Sequence, residues 1–242
     1  MDAVLVRLEC VTNMHVGNGD VNYNIIDNEV ERDPVTGVPT INSSGVKGAL
    51  RQFFAKNHDL KKYVNEFFGN KESDTSEGSL KIFSADMVAM PARASEGDRS
   101  YFLVTSDSAI ERYRYIRKEF LDDSDVPEKA TIKGSVEGIT IDRAVKLKGV
   151  TDPVAVLSDS QIQDIDLPVM ARNCLENGIS TNLWYEEVVP YKSVFAFTVL
   201  SENKKDIGDF KDAIDGAIIQ FGGEASIGYG FCKVSVEEAP NE

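Results

Sequence analysis

Cysteine and long apolar runs are scarce in this 242-residue sequence. The three cysteines, Cys10, Cys174 and Cys232, lie far apart in the sequence and are odd in number. This pattern argues against a disulfide framework and a zinc cluster, and it predicts a reducing compartment, the cytoplasm. No stretch approaches the roughly eighteen consecutive apolar residues of a membrane span, so we expect no membrane partner. The first residues run directly into a strand pattern, and we therefore expect no signal peptide.

Positive charge is also in short supply. There are 26 Lys and Arg residues against 40 Asp and Glu, which gives a formal net charge of −14. This balance disfavours nonspecific nucleic-acid binding, because such binding needs cations that replace the counterions of the phosphates. A basic stripe can still lie on an acidic body, and Lys and Arg are denser at 47–62 and 112–118. The composition is therefore compatible with an RNA-binding face without demonstrating one.

The periodicity predicts the same order of elements at both ends of the chain. Val4, Val6, Leu8 and Cys10 alternate with more polar residues, as in a half-buried strand. A helix with a core stripe follows, which Ser43 or Ser44 can cap, and a second amphipathic helix at 207–218 precedes a last strand at 231–236. We predict an α+β fold, a ferredoxin-like or RNA-recognition-type antiparallel sheet with helices on one face. Residues 1–242 form a single domain in this interpretation, with 122–182 as an inserted lobe.

The stretch from Thr12 to Arg51 carries an unusually long connection between a strand and a helix. It contains a glycine-rich turn with His15, a polar loop with Asp27, and Asp-Pro and Thr-Gly-Val-Pro turns. Connections of this length in compact domains are usually functional or disordered. The specific turn residues favour a functional segment.

Two further stretches have residue types suited to phosphate or to close backbone contact. Lys47 and Arg51 share a helix face behind Ser43 and Ser44, and helix-terminal N–H groups with nearby cations suit a phosphate. The loop 222–230 allows positive φ angles, but it follows a helix and opens a strand, unlike a dinucleotide fingerprint. In 112–117 cations and aromatics alternate; the helical spacing predicts Tyr113 and Ile116 in the core, with the arginines solvated or paired.

A set of short motifs in this order resembles the backbone subunits of type III CRISPR effector complexes, members of the RAMP superfamily. The resemblance is greater to the type III-B (Cmr) subunit than to its type III-A counterpart. The matching pieces are Thr12-x-x-His15-x-Gly17-x-Gly19, Ile26-Asp27, Arg32-Asp33-Pro34-x-Thr36-Gly37-x-Pro39, Ser43-Ser44-x-x-Lys47-Gly48-x-x-Arg51, Ser84-Ala85-Asp86, Pro91-Ala92-Arg93, and Leu183-Trp184-Tyr185-Glu186-Glu187-x-x-Pro190.

The resemblance implies roles for individual residues. Asp27 stands where the family places a loop aspartate beside the target strand, so it is the predicted catalytic residue and ligand of a divalent metal, Mg²⁺ or Mn²⁺. His15 is the second predicted catalytic residue, which would donate to or orient a phosphate; the alternative is an ordinary packing residue. Glu29, Glu31 and Asp33 include a second metal ligand or form a solvated acidic loop, with Arg32 offsetting their repulsion. The implied RNA-binding residues are Lys47, Arg51, Ser43, Ser44, Gly222, Gly223, Glu224 and Tyr229, of which Glu224 and Tyr229 would also assist cleavage.

The function implied is that of an RNA-guided endoribonuclease subunit in antiviral defence. Copies would line up head to tail along a guide RNA, pair with other Cmr subunits, and cut a single-stranded target RNA at regular intervals. Two alternatives remain at this point. The first is a catalytically silent scaffold that binds the guide RNA, and the second is an unrelated metabolic enzyme, which the acidic balance favours.

Overall fold

The computed structural model describes residues 1–19, 25–70 and 77–239. Six of the eleven residues 69–79, whose composition predicts a polar loop, lie outside these ranges. The strands, in chain order, are β1 (Asp2–Cys10), β2 (Thr40–Ile41), β3 (Lys81–Ile82), β4 (Ala85–Gly97), β5 (Tyr101–Ser106), β6 (Glu128–Ala130), β7 (Gly134–Val136), β8 (Ile139–Thr140), β9 (Ala144–Lys146), β10 (Val154–Leu157), β11 (Val169–Glu176), β12 (Ile179–Glu187), β13 (Val194–Ser201), β14 (Ile218–Gln220) and β15 (Phe231–Glu238). The α-helices are α1 (Ser43–Lys56), α2 (Val64–Phe68), α3 (Asp107–Leu121), α4 (Asp159–Gln163) and α5 (Lys204–Ile214), with 3-10 turns at Lys61–Tyr63 and Ala225–Ile227.

The centre of the sheet has the predicted topology. Its strands lie in the order β15-β1-β13-β4, all neighbours antiparallel, with α1 in the connection after β1 and α5 between β13 and β15. This is the strand order of a ferredoxin-like unit, so the predicted α+β class is confirmed. The first and last strands are neighbours, in a register that pairs Cys10 with Cys232.

The strand alternation divides the core between the two faces of this sheet. Val46, Leu50 and Phe54 of α1 and Ile207, Phe210 and Ile214 of α5 pack with Val4, Val6 and Leu8 of β1. Leu5 points to the opposite face and packs with Tyr113 and Ile116 of α3. The predicted helices on one face are therefore α1 and α5, and α3 adds cover on the other. Tyr113 and Ile116 are core residues, as the helical spacing predicts.

An ion-pair network fastens α3 to the edge of the sheet. Arg117 is 3% exposed, and its guanidinium binds the Asp123 carboxylate at 2.5 Å and Glu237 Oε2 at 2.8 Å. Burial disfavours ionisation of Asp123. Hydrogen bonds from Lys148 and Arg117 outweigh this effect and hold the pKa of Asp123 well below its ordinary value.

The segment 122–182 consists of short strands. β10 pairs in parallel with β5, and β9 and β6 continue the large sheet, while β11 and β12 form a separate hairpin. That this segment is an insertion in a single domain stays a prediction.

Pro91-Ala92-Arg93 lies within β4, where it pairs with β5. One local expectation was wrong. The position that caps α1 is Asn42 rather than Ser43 or Ser44, because the helix already begins at Ser43, and no side chain caps it. Among the described helices, none is long and apolar enough to cross a bilayer.

Candidate functional site

His15 lies in the turn after β1 and is held by the end of β12. The backbones of Met14 and Val189 exchange hydrogen bonds of 2.9 and 2.8 Å, which fix the turn against the hairpin. His15 is only 8% exposed, and its Nδ1 lies 2.7 Å from the carbonyl oxygen of Glu187. Because a carbonyl can only accept, Nδ1 donates this bond, and Nε2 faces Glu186 Oε1 at 3.7 Å. The packing alternative for His15 and an acid–base role both remain compatible with this geometry.

Asp27 is exposed and anchored through its backbone to the same hairpin. Its amide donates to the Tyr185 carbonyl at 3.1 Å, and its Oδ2 accepts from the Tyr185 amide at 2.8 Å. Residue 28 continues as a parallel bridge to Glu186. The carboxylate is thus held in position while remaining open to solvent, which a catalytic role requires.

Two consecutive glutamates of β12 contact the His15 turn and the segment 27–32 from opposite faces of the strand. Glu186 and Glu187 are 3% and 5% exposed, and as neighbours in a strand they point in opposite directions. Glu186 faces His15. Glu187 Oε2 accepts from the amide of Val30 at 3.0 Å, and its Oε1 pairs with Arg32. Arg32 therefore pairs with the hairpin, instead of only offsetting the acids of its own loop.

Arg172 of β11 connects Glu186 to the glycine loop. Its guanidinium lies 2.9 Å from Glu186 Oε2 and 3.9 Å from Glu224 Oε2, and it stacks over the Tyr229 ring at 4.7 Å. The structure therefore brings together the predicted residues His15, Glu224 and Tyr229, and Asp27 is hydrogen-bonded to Tyr185 of the adjoining strand β12. We call Asp27, His15, Arg172, Glu186, Glu187, Glu224 and Tyr229 the hairpin site.

The loop 222–230 contacts the His15 turn through its backbone, as its glycines predict. Gly222 has φ +77°, and a Cβ there would lie 2.2 Å from the His15 carbonyl oxygen. The amide of Gly223 donates to that oxygen at 2.9 Å. Gly230 has φ +76° and would place a Cβ 1.8 Å from the Phe221 carbonyl oxygen. Only glycine fits these positions without displacing the backbone.

Ser43, Ser44, Lys47 and Arg51 form a second group at the start of α1. They line a cavity of about 520 Å³ whose lining includes neither Asp27 nor His15. We call it the helix cavity. Lys47 is half-buried and open to it. Arg51 is engaged, because its Nη1 donates to the carbonyls of Gly69 at 2.6 Å and Phe68 at 3.3 Å.

The donor set for a metal is limited to single carboxylates. Within the described ranges there is no group of three or more His, Cys, Asp or Glu residues able to hold an ion. Asp33 accepts hydrogen bonds from the amides of Val35 and Thr36, so it stabilises its own turn. Burial opposes this, but the bonds from Thr36 lower the pKa of Asp33. Asp27 presents an exposed carboxylate, which suits a Mg²⁺ ion that keeps most of its waters and also binds a substrate phosphate.

Arg172, Glu186 and Glu187 had no predicted role. The adjacent acids at 186–187 served only as part of a motif, although two acids within the largely apolar stretch 183–189 indicate that each needs a buried partner. Arg172 has no comparable signal, because its partners lie 14 and 52 residues further along the chain.

Comparisons with known proteins agree along the whole chain. The RAMP superfamily profile matches residues 7–233. The CRISPR system Cmr endoribonuclease Cmr4 of Pyrococcus furiosus is 26% identical over 294 aligned positions, covering 100% of this chain and 98% of the relative. A type III-B Cmr-beta structure bound to cognate target RNA has a TM-score of 0.80 at 20% identity, covering 98% of this chain and 97% of the other. The crystal structure of oligomeric Cmr4 from P. furiosus has a TM-score of 0.67 at 22% identity, with 100% of both chains covered. With a profile match over most of its length and the ferredoxin-like core in place, this chain belongs to the RAMP superfamily.

Proposed function

We propose that the protein is the RNA-guided endoribonuclease and guide-RNA-binding backbone subunit of a type III-B CRISPR effector complex. The observation that carries this proposal is the end-to-end likeness to a Cmr endoribonuclease, 26% identical across 100% of the chain. The exposed Asp27 carboxylate, fixed to β12, supplies a suitable group for cutting RNA. The family membership and the engaged hairpin site leave the metabolic-enzyme alternative without a supporting observation.

The chemistry uses a nucleophile that RNA itself provides. The ribose 2′-oxygen attacks the adjacent phosphorus, its proton passes to a base, and the 5′-oxygen leaves with a proton, giving a 2′,3′-cyclic phosphate and a 5′-hydroxyl. Asp27 is placed to take the 2′ proton because its carboxylate is exposed, its backbone N–H donates to Tyr185, and its side-chain Oδ2 accepts from Tyr185. His15 is mostly enclosed, and in our proposal it holds the turn and the adjoining RNA in position.

We further propose that cutting depends on a divalent metal, Mg²⁺ or Mn²⁺. A bound ion would neutralise charge on the scissile phosphate. Asp27 would be its protein ligand, and RNA oxygens and water would complete the coordination, since the described residues offer no larger ligand set. This arrangement predicts that metal affinity is weak until RNA is bound.

Guide binding is assigned to the helix cavity and the glycine loop. Lys47, the first turn of α1 and the Gly222–Gly223 backbone are the groups proposed to contact guide phosphates. The oligomeric Cmr4 structure supports self-association of copies, which we propose line up along one guide. The type III-B Cmr-beta structure bound to cognate target RNA supports other Cmr subunits and a single-stranded target as partners. A cytoplasmic location fits the free state of all three cysteines.

The test is target cutting by the reconstituted complex with Asp27→Asn. Asp166→Asn is the matched control, since it makes the same change at an exposed aspartate that has no proposed role. We expect the Asp27 variant to lose at least about a hundredfold in cutting rate while guide and target binding persist. The control should cut normally. Equal loss in both variants, or unchanged cutting in Asp27→Asn, would remove Asp27 from the mechanism.

An assay of target cutting with and without a chelator distinguishes the nuclease from the catalytically silent scaffold. A complex that binds guide and target but never cuts, with Mg²⁺ or Mn²⁺ supplied, would be the silent scaffold. Full cutting in excess chelator would contradict the metal proposal alone and leave the nuclease assignment standing.

A further inference from the structure

A second cavity opens beside the helix cavity. Its volume is about 320 Å³, and it shares the lining residues Ser43, Ile82 and Phe83 with the helix cavity, so the two cavities adjoin. We call it the Arg112 cavity. Its lining also includes Ser84, Arg112 and Thr198. None of these three was assigned a role by the sequence motifs or by the proposed guide contacts.

Thr198 contributes a buried hydroxyl to the lining of the Arg112 cavity. The residue is 0% exposed, and its Oγ1 has no hydrogen-bond partner in the described part of the chain. Its carbonyl is satisfied by the amide of Phe83 at 3.1 Å. Buried hydroxyls are almost always hydrogen-bonded, so an unpartnered one beside a cavity indicates a ligand that completes it.

The start of α1 borders the same cavity. The 14-residue helix begins at Ser43, and the side chain of Asn42 makes no capping bond. The first N–H groups of an α-helix have no partner within the helix, and together with the helix dipole they favour an anion. The uncapped helix start and the unpaired threonine hydroxyl are independent features that favour the same kind of ligand.

Arg112 contributes positive charge to the lining of the Arg112 cavity. Its Nε donates to Asp86 Oδ2 at 2.9 Å, which fixes the guanidinium plane, while the side chain remains 55% exposed. The hydrogen bond through Nε leaves the two Nη groups as a fork, the geometry that binds phosphate oxygens in pairs. Arg112 is therefore oriented by Asp86 without being neutralised by burial.

We propose that the Arg112 cavity binds a backbone phosphate of the guide RNA, adjacent to the phosphate assigned to Lys47. The Nη groups of Arg112, the first-turn amides of α1 and the Thr198 hydroxyl hold it. This rests on the proposed function, because the ligand is the guide RNA. The two cavities adjoin at Ser43, so they can hold successive phosphates of one RNA strand, which favours the guide RNA over a free anion. Because the chain carries a net charge of −14, such localised cations must do the phosphate binding.

The experiment measures binding of a labelled synthetic guide RNA to the full chain in the reconstituted complex, across a range of salt concentrations. Arg112→Ala is compared with Arg114→Ala, an exposed arginine on the same helix that lines a different cavity. Each phosphate contact of a single strand contributes about 0.7 to the slope of log affinity against log salt. We expect Arg112→Ala to flatten the slope by about that amount and to weaken binding about five- to tenfold, with Arg114→Ala unchanged.

An Asp86→Asn background removes the structural explanation. If Arg112 matters only as the partner of Asp86, the loss caused by Arg112→Ala disappears in Asp86→Asn. If Arg112 binds phosphate, the loss remains. Thr198→Val keeps the shape and removes the hydroxyl, so we expect a few-fold weaker guide binding with an unchanged or higher melting temperature.

The results that overturn the inference are separable from failure of the function. A wild-type complex that binds guide RNA, with Arg112→Ala indistinguishable from Arg114→Ala, rejects the Arg112 cavity while the proposed function stands. Loss of the Arg112 effect in Asp86→Asn also rejects it. A wild-type complex that binds no guide RNA rejects the proposed function, and the phosphate site with it. Free phosphate that competes at millimolar concentration with an unchanged salt slope would assign the site to a small anion and contradict a guide contact.

Discussion

Arg172 offers the most direct test of how the hairpin site is held together. Its guanidinium lies within 2.9 Å of Glu186, is 3.9 Å from Glu224 and stacks on Tyr229. The change Arg172→Met keeps most of the side-chain volume and removes all three interactions. It should therefore loosen the attachment of both the hairpin and the glycine loop to the His15 turn.

The size of the effect follows from the burial of the pair. The side chains of Glu186 and Arg172 are 4% and 21% exposed. Removing one partner of a buried ion pair costs roughly 3–5 kcal/mol, because the other charge stays behind without compensation. Arg172 is a fifth exposed and His15 Nε2 lies 3.7 Å from Glu186, so part of this cost is offset. Loss of the cation–π contact adds about 1 kcal/mol. We expect a net cost of about 3 kcal/mol.

Because β11 and β12 pair with each other outside the large sheet, most of this cost should appear as local opening. Hydrogen exchange read in the peptides 25–32 and 183–188 reports the bonds between Asp27 and Tyr185. About 3 kcal/mol corresponds to exchange roughly a hundredfold faster in these peptides. Target cutting should fall with it, while guide binding through the helix cavity persists. Arg143→Met removes an exposed pair with Asp107 and should change exchange little.

A double-mutant cycle with Glu186→Gln decides whether the ion pair is the cause. If it is, Arg172→Met should cost much less in the Glu186→Gln background, with a coupling energy of about 2 kcal/mol or more. Effects that add to within about 0.5 kcal/mol would refute the reasoning, because Arg172 would then act through packing alone.

Three further outcomes are expected. Gly230→Ala should lower the denaturation midpoint well beyond Gly178→Ala, since both have positive φ but only Gly230 would place a Cβ 1.8 Å from a carbonyl oxygen; equal losses would exclude the clash as the cause. Asp123 has a depressed pKa, so its contribution is complete above its unfolded pKa of about 4 and is lost at lower pH; Asp123→Asn should flatten stability against pH below about 4 in acid titrations, and an unchanged acid profile would contradict this. Lys47→Gln should flatten the salt slope of guide binding by about 0.7, whereas Lys118→Gln should not; the same slope in both would count against the helix cavity.

The elements with strong periodicity were predictable from local pattern. The stripe Val46, Leu50 and Phe54 predicted α1, and the alternation of β1 predicted a strand with one well-buried face. These predictions succeed because burial repeats every 3.6 or two residues within a single element. That Pro91 lies within β4 was not predicted, because a proline is tolerated in a strand only where its partner strand allows it, and local pattern does not contain that partner.

Local sequence pattern predicted only part of the candidate site. The motifs singled out Asp27, His15 and the glycine loop, and the positive φ of Gly222 and Gly230 follows from glycine chemistry alone. Their roles in binding and cutting stay predictions. Glu186 faces the His15 turn and Glu187 binds the segment that follows Asp27. This arrangement depends on where β12 ends relative to the His15 turn, which is 172 residues away in the chain.

The sequence by itself therefore determined the class of fold, the order of its central elements and the positions where only glycine fits, because each of these depends on neighbouring residues. Tertiary structure alone decided which distant residues meet. It placed Arg172 against Tyr229, left the Thr198 hydroxyl unpaired beside Arg112, and brought the Cys10 and Cys232 sulphurs to 3.7 Å although the sequence separates them by 222 residues. The physical reason is that the closing of the sheet between β1 and β15 fixes these contacts, and this pairing is set by packing of the whole core.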